Sequence, residues 1–221
     1  MSKGIGCAVV VVIVLVILGL ALAGTYNRLV GLSQAVDAQW AQVESVYQRR
    51  ADLVPNLVAT VQGAANFEKS TLEAVTRARA SVGQAQGGGS IPSDPAAFAK
   101  WQAAQDALSG ALSRLLVVVE RYPDLKANQN FRDLQAQLEG TENRIAVERM
   151  RFNEKAQEYN TTRQRFPAAL FAGMMGFKEK AYFKAAAGAE QAPAVKFEFG
   201  ASPAAPAPPA ASPARVGRSR P

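Results

Sequence analysis

The sequence contains no histidine. That absence removes the usual general base, the usual proton shuttle and the commonest metal ligand together. Cysteine occurs once, at Cys7, so no disulfide can close within the chain and no cysteine-built zinc site can form. The helical-bundle metal pattern Glu-x-x-His is excluded by the missing histidine. No activated serine or cysteine marks a nucleophile in the soluble part. The glycine run at 87–89 lacks both a following Lys-Ser/Thr pair and a preceding strand, so it is no phosphate cradle. These absences predict a chain with no cofactor, no metal, no small-molecule substrate and no enzymatic activity.

Charge is also missing from one long stretch. Between Lys3 and Arg28 no charged residue occurs over 24 positions, most of them Val, Ile, Leu, Ala and Gly. About 20 such residues in a helix cross the hydrocarbon core of a bilayer. The run exceeds what a signal-peptide core needs, although Ala21-Leu22-Ala23 has the form of a cleavage site. Residues 1–24 are therefore expected to be an uncleaved single-pass anchor, with the lipid bilayer as first partner. Cys7 stands too early for a lipoprotein cysteine and suits a small apolar residue at the membrane edge. Lys3 and the amino terminus outweigh Arg28 by a narrow margin. The positive-inside rule then places the domain beyond the anchor outside the cytoplasm.

Beyond the apolar run the chain is patterned in sevens. Phe131, Leu138, Ile145, Phe152, Tyr159 and Phe166 recur at that step between Asn128 and Phe166. A second seam begins at Leu134 and turns polar at Thr141, Glu148 and Lys155. Such a repeat stays on one helix face only when the helix packs against neighbours with slight supercoiling. Leu29, Val36 and Val43 keep the same step, with Trp40, Tyr47 and Val54 as companions. Arg50 then falls where an apolar residue is due. Pro55 cannot donate a helical hydrogen bond, so a kink or break is expected near Asp52 to Val54, with Asp52 capping a new helix. That second helix is read to about Val82 from Leu57, Val61, Ala64, Phe67, Leu72 and Val75. Asp94 before Pro95 starts a third, and Asn128 caps the long fourth.

Several of these residues carry a resemblance to a known family. The runs Arg49-Arg50-Ala51-Asp52-Leu53-Val54-Pro55-Asn56-Leu57, Tyr122 to Asn128, Asn130-Phe131 and Leu138 to Ile145 resemble the LemA family, as do Tyr159-Asn160 and Arg165-Phe166-Pro167. The resemblance spans Tyr26 to Phe183. It implies an elongated antiparallel helical bundle on a membrane anchor and a role in the cell envelope, in membrane stress or proteolysis. It implies no particular reaction.

The expected architecture is all-α: an elongated antiparallel four-helix bundle over residues 25–167, after the anchor. A hydrophobic strap is expected at 168–187. A disordered Ala/Pro-rich basic tail fills 188–221, whose prolines forbid helix and sheet. Three arginines there are too few to argue for nucleic acid. In the strap, Leu170, Phe171, Met174, Met175 and Phe177 are apolar without period. They either fold back on the bundle or form a surface for membrane, a protein partner or a second copy. The one dense polar cluster is Arg49, Arg50, Asp52 and Asn56, with Glu142 and Glu148 able to reach it from the long helix. Its preferred reading is structural, with Arg50 as a buried register lock paired to Glu142, Glu148 or Asp52. The function expected is a scaffold or adaptor in the bacterial plasma (inner) membrane. The competing function is an enzyme accessory or weak hydrolase using Arg50 and Glu142.

Overall fold

A computed structural model describes residues 2–64, 67–85, 91–92 and 94–185, without the side chains of 2–5, 7 and 8. The expected tail at 188–221, the glycine run at 87–89, the last strap residues and the surroundings of Cys7 lie outside the described residues. Among those described, every regular element is helical. They are α1 (Ser2–Gln62), α2 (Lys69–Ala85), α3 (Pro95–Val119), α4 (Pro123–Ala127), α5 (Gln129–Gln164) and α6 (Ala168–Phe171).

From Val9 on, α1 carries a stretch long and apolar enough to cross a membrane, and its most apolar 18-residue window has no residue buried against the protein. The same helix continues into the domain without interruption. Leu29, Val36, Val43, Arg50 and Leu57, each seven apart, are all 0% exposed. Trp40, Tyr47, Val54 and Val61 are buried beside them.

Here the structure departs from the expected break. Pro55 stands inside α1, exposed on its outer face, and Asp52 caps nothing. An internal proline costs roughly 3 kcal/mol. Burying Val54, Leu57 and Val61 on the uninterrupted stripe returns about 1.5–3 kcal/mol for each, so continuity wins. The missing bond also finds a substitute. A proline at 55 frees the carbonyl of Ala51, and Arg79 of α2 donates Nε–H to that oxygen at 3.2 Å. The chain turns instead after Gln62, through Gly63 and Ala64.

The other helix starts follow the sequence. Asp94 accepts a hydrogen bond from the Ala97 N–H at 3.2 Å, with Pro95 leading α3. Asn128 accepts one from the Phe131 N–H at 3.3 Å. In α5, Phe131, Leu138, Ile145, Phe152 and Tyr159 are buried, while Phe166 is 81% exposed. The sevenfold step runs to Phe166 in sequence, but α5 ends at Gln164, so the last term has left the helix.

Direction follows from the pairings. Gln39 meets Glu148 and Arg50 meets Glu142, so α1 and α5 are antiparallel. Trp40 packs on Phe98, Tyr47 on Trp101, and Arg50 bonds Ser109, so α3 runs with α1. The core falls into two clusters along these helices. One is aromatic, around Trp40, Trp101 and Phe152. The other is aliphatic, around Leu57, Val75, Leu115 and Leu138.

Candidate functional site

Arg50 sits where the two clusters meet. Its sevenfold position points the side chain inward, and its guanidinium is wholly buried. Nη1 donates to Glu142 Oε1 at 2.9 Å and to Ser109 Oγ at 2.5 Å. Nη2 donates to the backbone and side-chain oxygens of Gln105 at 3.2 and 2.5 Å. The Tyr47 ring lies 4.9 Å from the guanidinium carbon, a cation–π contact. One helix turn of α3 and one residue of α5 thus collect around the charge. The Nε–H of Arg50 and the side-chain amide nitrogen of Gln105 are buried with no partner among the described residues. Glu142 is 40% exposed, so the pair joins a buried cation to a half-wet carboxylate.

A second polar group flanks the first. Arg149 donates Nε–H to the Tyr47 hydroxyl at 2.5 Å and pairs through Nη2 with Asp106 at 2.7 Å. Burial pushes the Tyr47 hydroxyl up to about 12, against the pull of the Arg149 and Arg50 cations. At neutral pH the phenol stays protonated.

The rest of the expected cluster does not converge on Arg50. Arg49, Asp52 and Asn56 lie on the outer face of α1, where with Gln48 and Arg144 they line a shallow groove. Asp52 accepts from Gln48 at 2.8 Å. Glu148 turns to Arg151 at 2.8 Å and Gln39 at 2.6 Å. Of the three acids considered for Arg50, only Glu142 reaches it, because Asp52 is two residues on and faces outward. Glu148 lies nearly two turns along α5. Among the described residues, no three His, Cys, Asp or Glu side chains gather as metal ligands do.

The strap divides as well. Phe171 and Phe183 are buried, Phe177 is half-buried, and Leu170, Met174 and Met175 are exposed. A segment outside helix and sheet must still satisfy its peptide groups. Side-chain amides do this. Asn160 donates to Lys180 O at 2.8 Å and accepts from Lys180 N at 3.0 Å. Asn153 holds Phe183 in the same two-point way at 3.0 and 2.9 Å. Gln102 holds Lys184 at 2.8 and 3.3 Å. Tyr159 and Arg163 donate to the carbonyls of Lys178 and Phe177. Sequence reasoning missed these pins. Their only signal was an amide placed directly after a seam residue, as in Phe152-Asn153, Tyr159-Asn160 and Trp101-Gln102.

Between strap and helices a cavity of about 450 Å³ is lined by Asp37, Trp40, Ile91, Tyr159 and Lys180, among others. Lys180 closes onto Asp37 at 3.0 Å. The Trp40 indole N–H beside it is buried without a partner among the described residues.

Against known proteins, the profile described as LemA family matches residues 39–197. The chain is 29% identical over 174 residues to magnetosome protein MamQ of Magnetospirillum gryphiswaldense, covering 72% of this chain and 64% of that protein. It is 29% identical over 175 residues, with the same coverage, to magnetosome proteins MamQ 1 and MamQ 2 of Paramagnetospirillum magneticum. The chain thus spans just under two thirds of the length of these curated relatives.

Proposed function

The chain belongs to the LemA family, and from that premise we propose that it is a non-catalytic scaffold or adaptor of the bacterial plasma membrane. Its α1 holds the bundle at the bilayer, with the bundle outside the cytoplasm, and its helical faces are what it presents. The observation that supports this reading is the placement of Arg50. The polar cluster weighed for catalysis keeps its cation fully buried and bonded to Gln105, Ser109 and Glu142. A catalytic pair needs groups whose pKa values are driven apart in a pocket that substrate can enter. A register lock needs only satisfied hydrogen bonds between helices. The stretch of α1 long and apolar enough to cross a membrane lends the membrane role support.

Two experiments test this. Purified full-length protein screened against peptide and ester libraries should turn nothing over. Turnover lost in Arg50→Leu or Glu142→Leu would replace the scaffold with a hydrolase or enzyme accessory. A compartment-restricted reporter fused after Pro221 should be active outside the cytoplasm. Activity only inside would reverse the orientation and keep the anchor.

A further inference from the structure

We propose that the corner from Phe166 to Met175 lies in the bilayer interface, a second lipid contact beside the α1 span. Four large apolar side chains protrude there within ten residues: Phe166 at 81%, Leu170 at 71%, Met174 at 86% and Met175 at 52% exposure. Elsewhere in the soluble helices the exposed large aliphatic residues are sparser: Val117 stands alone on α3, and Val147 and Met150, at 40% and 55%, form a single pair one turn apart on α5. Isolated ones are ordinary, whereas a contiguous group marks a contact surface.

The position of the corner selects lipid as its occupant. Ala168, Phe171 and Ala172 belong to the aromatic cluster, and Leu22 of α1 packs against that cluster together with Phe177. Phe177 meets Tyr26 edge-on at 5.5 Å. Leu22 lies within the uncharged run that ends before Arg28, about 9 Å inside it at the helical rise. A segment seated beside Leu22 and Tyr26 is therefore at the depth where headgroups meet acyl chains. Tyrosine favours that depth.

The turn holds the exposed side chains outward. Phe177 N–H bonds Ala172 O at 2.9 Å, and Gly176 makes the reversal at φ +81°, a conformation that favours glycine. Arg163 fixes Phe177 O at 2.7 Å. Phe171 and Ala172 thus face the bundle, and Leu170, Met174 and Met175 face away.

Charge agrees with apolarity. Between Glu158 and Glu179 the chain has no acid and three bases, Arg163, Arg165 and Lys178. Arg165 and Lys178 are exposed. Long basic side chains flanking a buried apolar face can extend to phosphates, and each near an anionic surface strengthens the attachment. Two contacts, span and corner, fix the bundle's tilt to the membrane where one would leave it free to swivel.

This inference rests on reading α1 as a bilayer span, and the test separates the two. Full-length protein carrying Cys7→Ser receives one new cysteine, by Met174→Cys, Leu15→Cys or Val117→Cys, each labelled with an environment-sensitive fluorophore. The labelled proteins are placed in phosphatidylcholine–phosphatidylglycerol vesicles. Quenching by doxyl-labelled lipid is compared with quenching by aqueous iodide. Labels at 15 and 174 should be quenched by the lipid and protected from iodide, with blue-shifted emission. The label at 117 should show the reverse. A label at 174 that behaves like 117 puts the corner in water. One protected from both quenchers is covered by protein. Either result overturns the proposal while 15 stays lipid-quenched. Iodide access at 15 removes the span itself, and the corner's lipid contact with it.

Discussion

On the membrane side of Arg50 the core is aromatic. Each of Trp40, Phe98, Trp101, Phe152 and Phe183 is in ring contact with at least three of the others at 4.9–6.3 Å, with Tyr47 against Trp101. On the far side it is aliphatic, built on Leu57, Val61, Val75, Leu108, Leu115 and Leu138, with Phe67 and Tyr122 paired among its aromatic contacts. The difference matches what each half must hold. Aliphatic ridges interlock when regular helices face each other. The membrane-side half must also seat a strap with no regular repeat, and flat rings that pack edge or face can fill such irregular space. Phe183, the strap's contribution, touches Trp40, Phe98, Trp101 and Phe152.

The largest expected effect separates the halves. Phe152→Ala should cost about 3–5 kcal/mol and Leu115→Ala about 2–5 kcal/mol, since both side chains are wholly buried. Only the first should loosen the strap. Hydrogen exchange on the full chain in detergent should then show lost protection at residues 177–184 in Phe152→Ala and retained protection in Leu115→Ala. Equal loss in both would mean the halves open as one unit.

The boundary layer comes next. Glu142→Leu strands a fully buried arginine, and removing one partner of a buried pair costs about 3–5 kcal/mol. Because Glu142 is itself 40% exposed, the lower figure applies. Arg50→Leu leaves behind a carboxylate that water can reach, so it should cost less. The double substitution should recover much of the larger loss. Melting of the three variants checks this, and simply additive losses would uncouple the pair.

Much of this was legible in sequence. The step of seven from Leu29 to Val43 marked position 50 as inward, and the arginine there demanded a carboxylate. Asp94 and Asn128 announced their helices because a cap acts on residues two or three ahead. What escaped was whatever depends on distant partners. Pro55 reads as a break because Arg79, 28 residues from the carbonyl it serves, supplies the missing donor. Glu148 and Asp52 read as partners of Arg50 because side-chain direction around a helix is finer than seam membership. The strap's hydrogen bonds escaped because Asn153, Asn160 and Gln102 serve backbone groups up to 82 residues away. Exposure of Leu170 and Met174 has no sequence period to reveal it.

Tyr47 marks the edge of the aromatic half by its response to pH. Its folded pKa, pushed up to about 12, exceeds the unfolded value of about 10. The protonated phenol therefore favours the folded state. That contribution is complete below pH 10 and is lost as pH rises towards 12, by on the order of 2–3 kcal/mol at about 1.4 kcal/mol per unit. Tyr47→Phe should flatten the decline in melting temperature between pH 10 and 12. An unchanged slope would assign the decline to other groups.

The smallest effect belongs to the aliphatic half and tests how its helix survives a proline. Arg79 is exposed, so water can replace part of its bond to Ala51 O. Arg79→Ala should cost about 0.5–1 kcal/mol, the net worth of a hydrogen bond that solvent competes for. In Pro55→Ala the backbone N–H returns and can donate to Ala51 O along the helix. There Arg79→Ala should cost close to nothing, while Pro55→Ala alone should raise the melting temperature. The four proteins form a double-mutant cycle. A coupling near the Arg79 loss ties the arginine to the proline's vacancy. Equal costs for Arg79→Ala in both backgrounds would mean that α1 passes Pro55 on its buried stripe alone, on Val54, Leu57 and Val61.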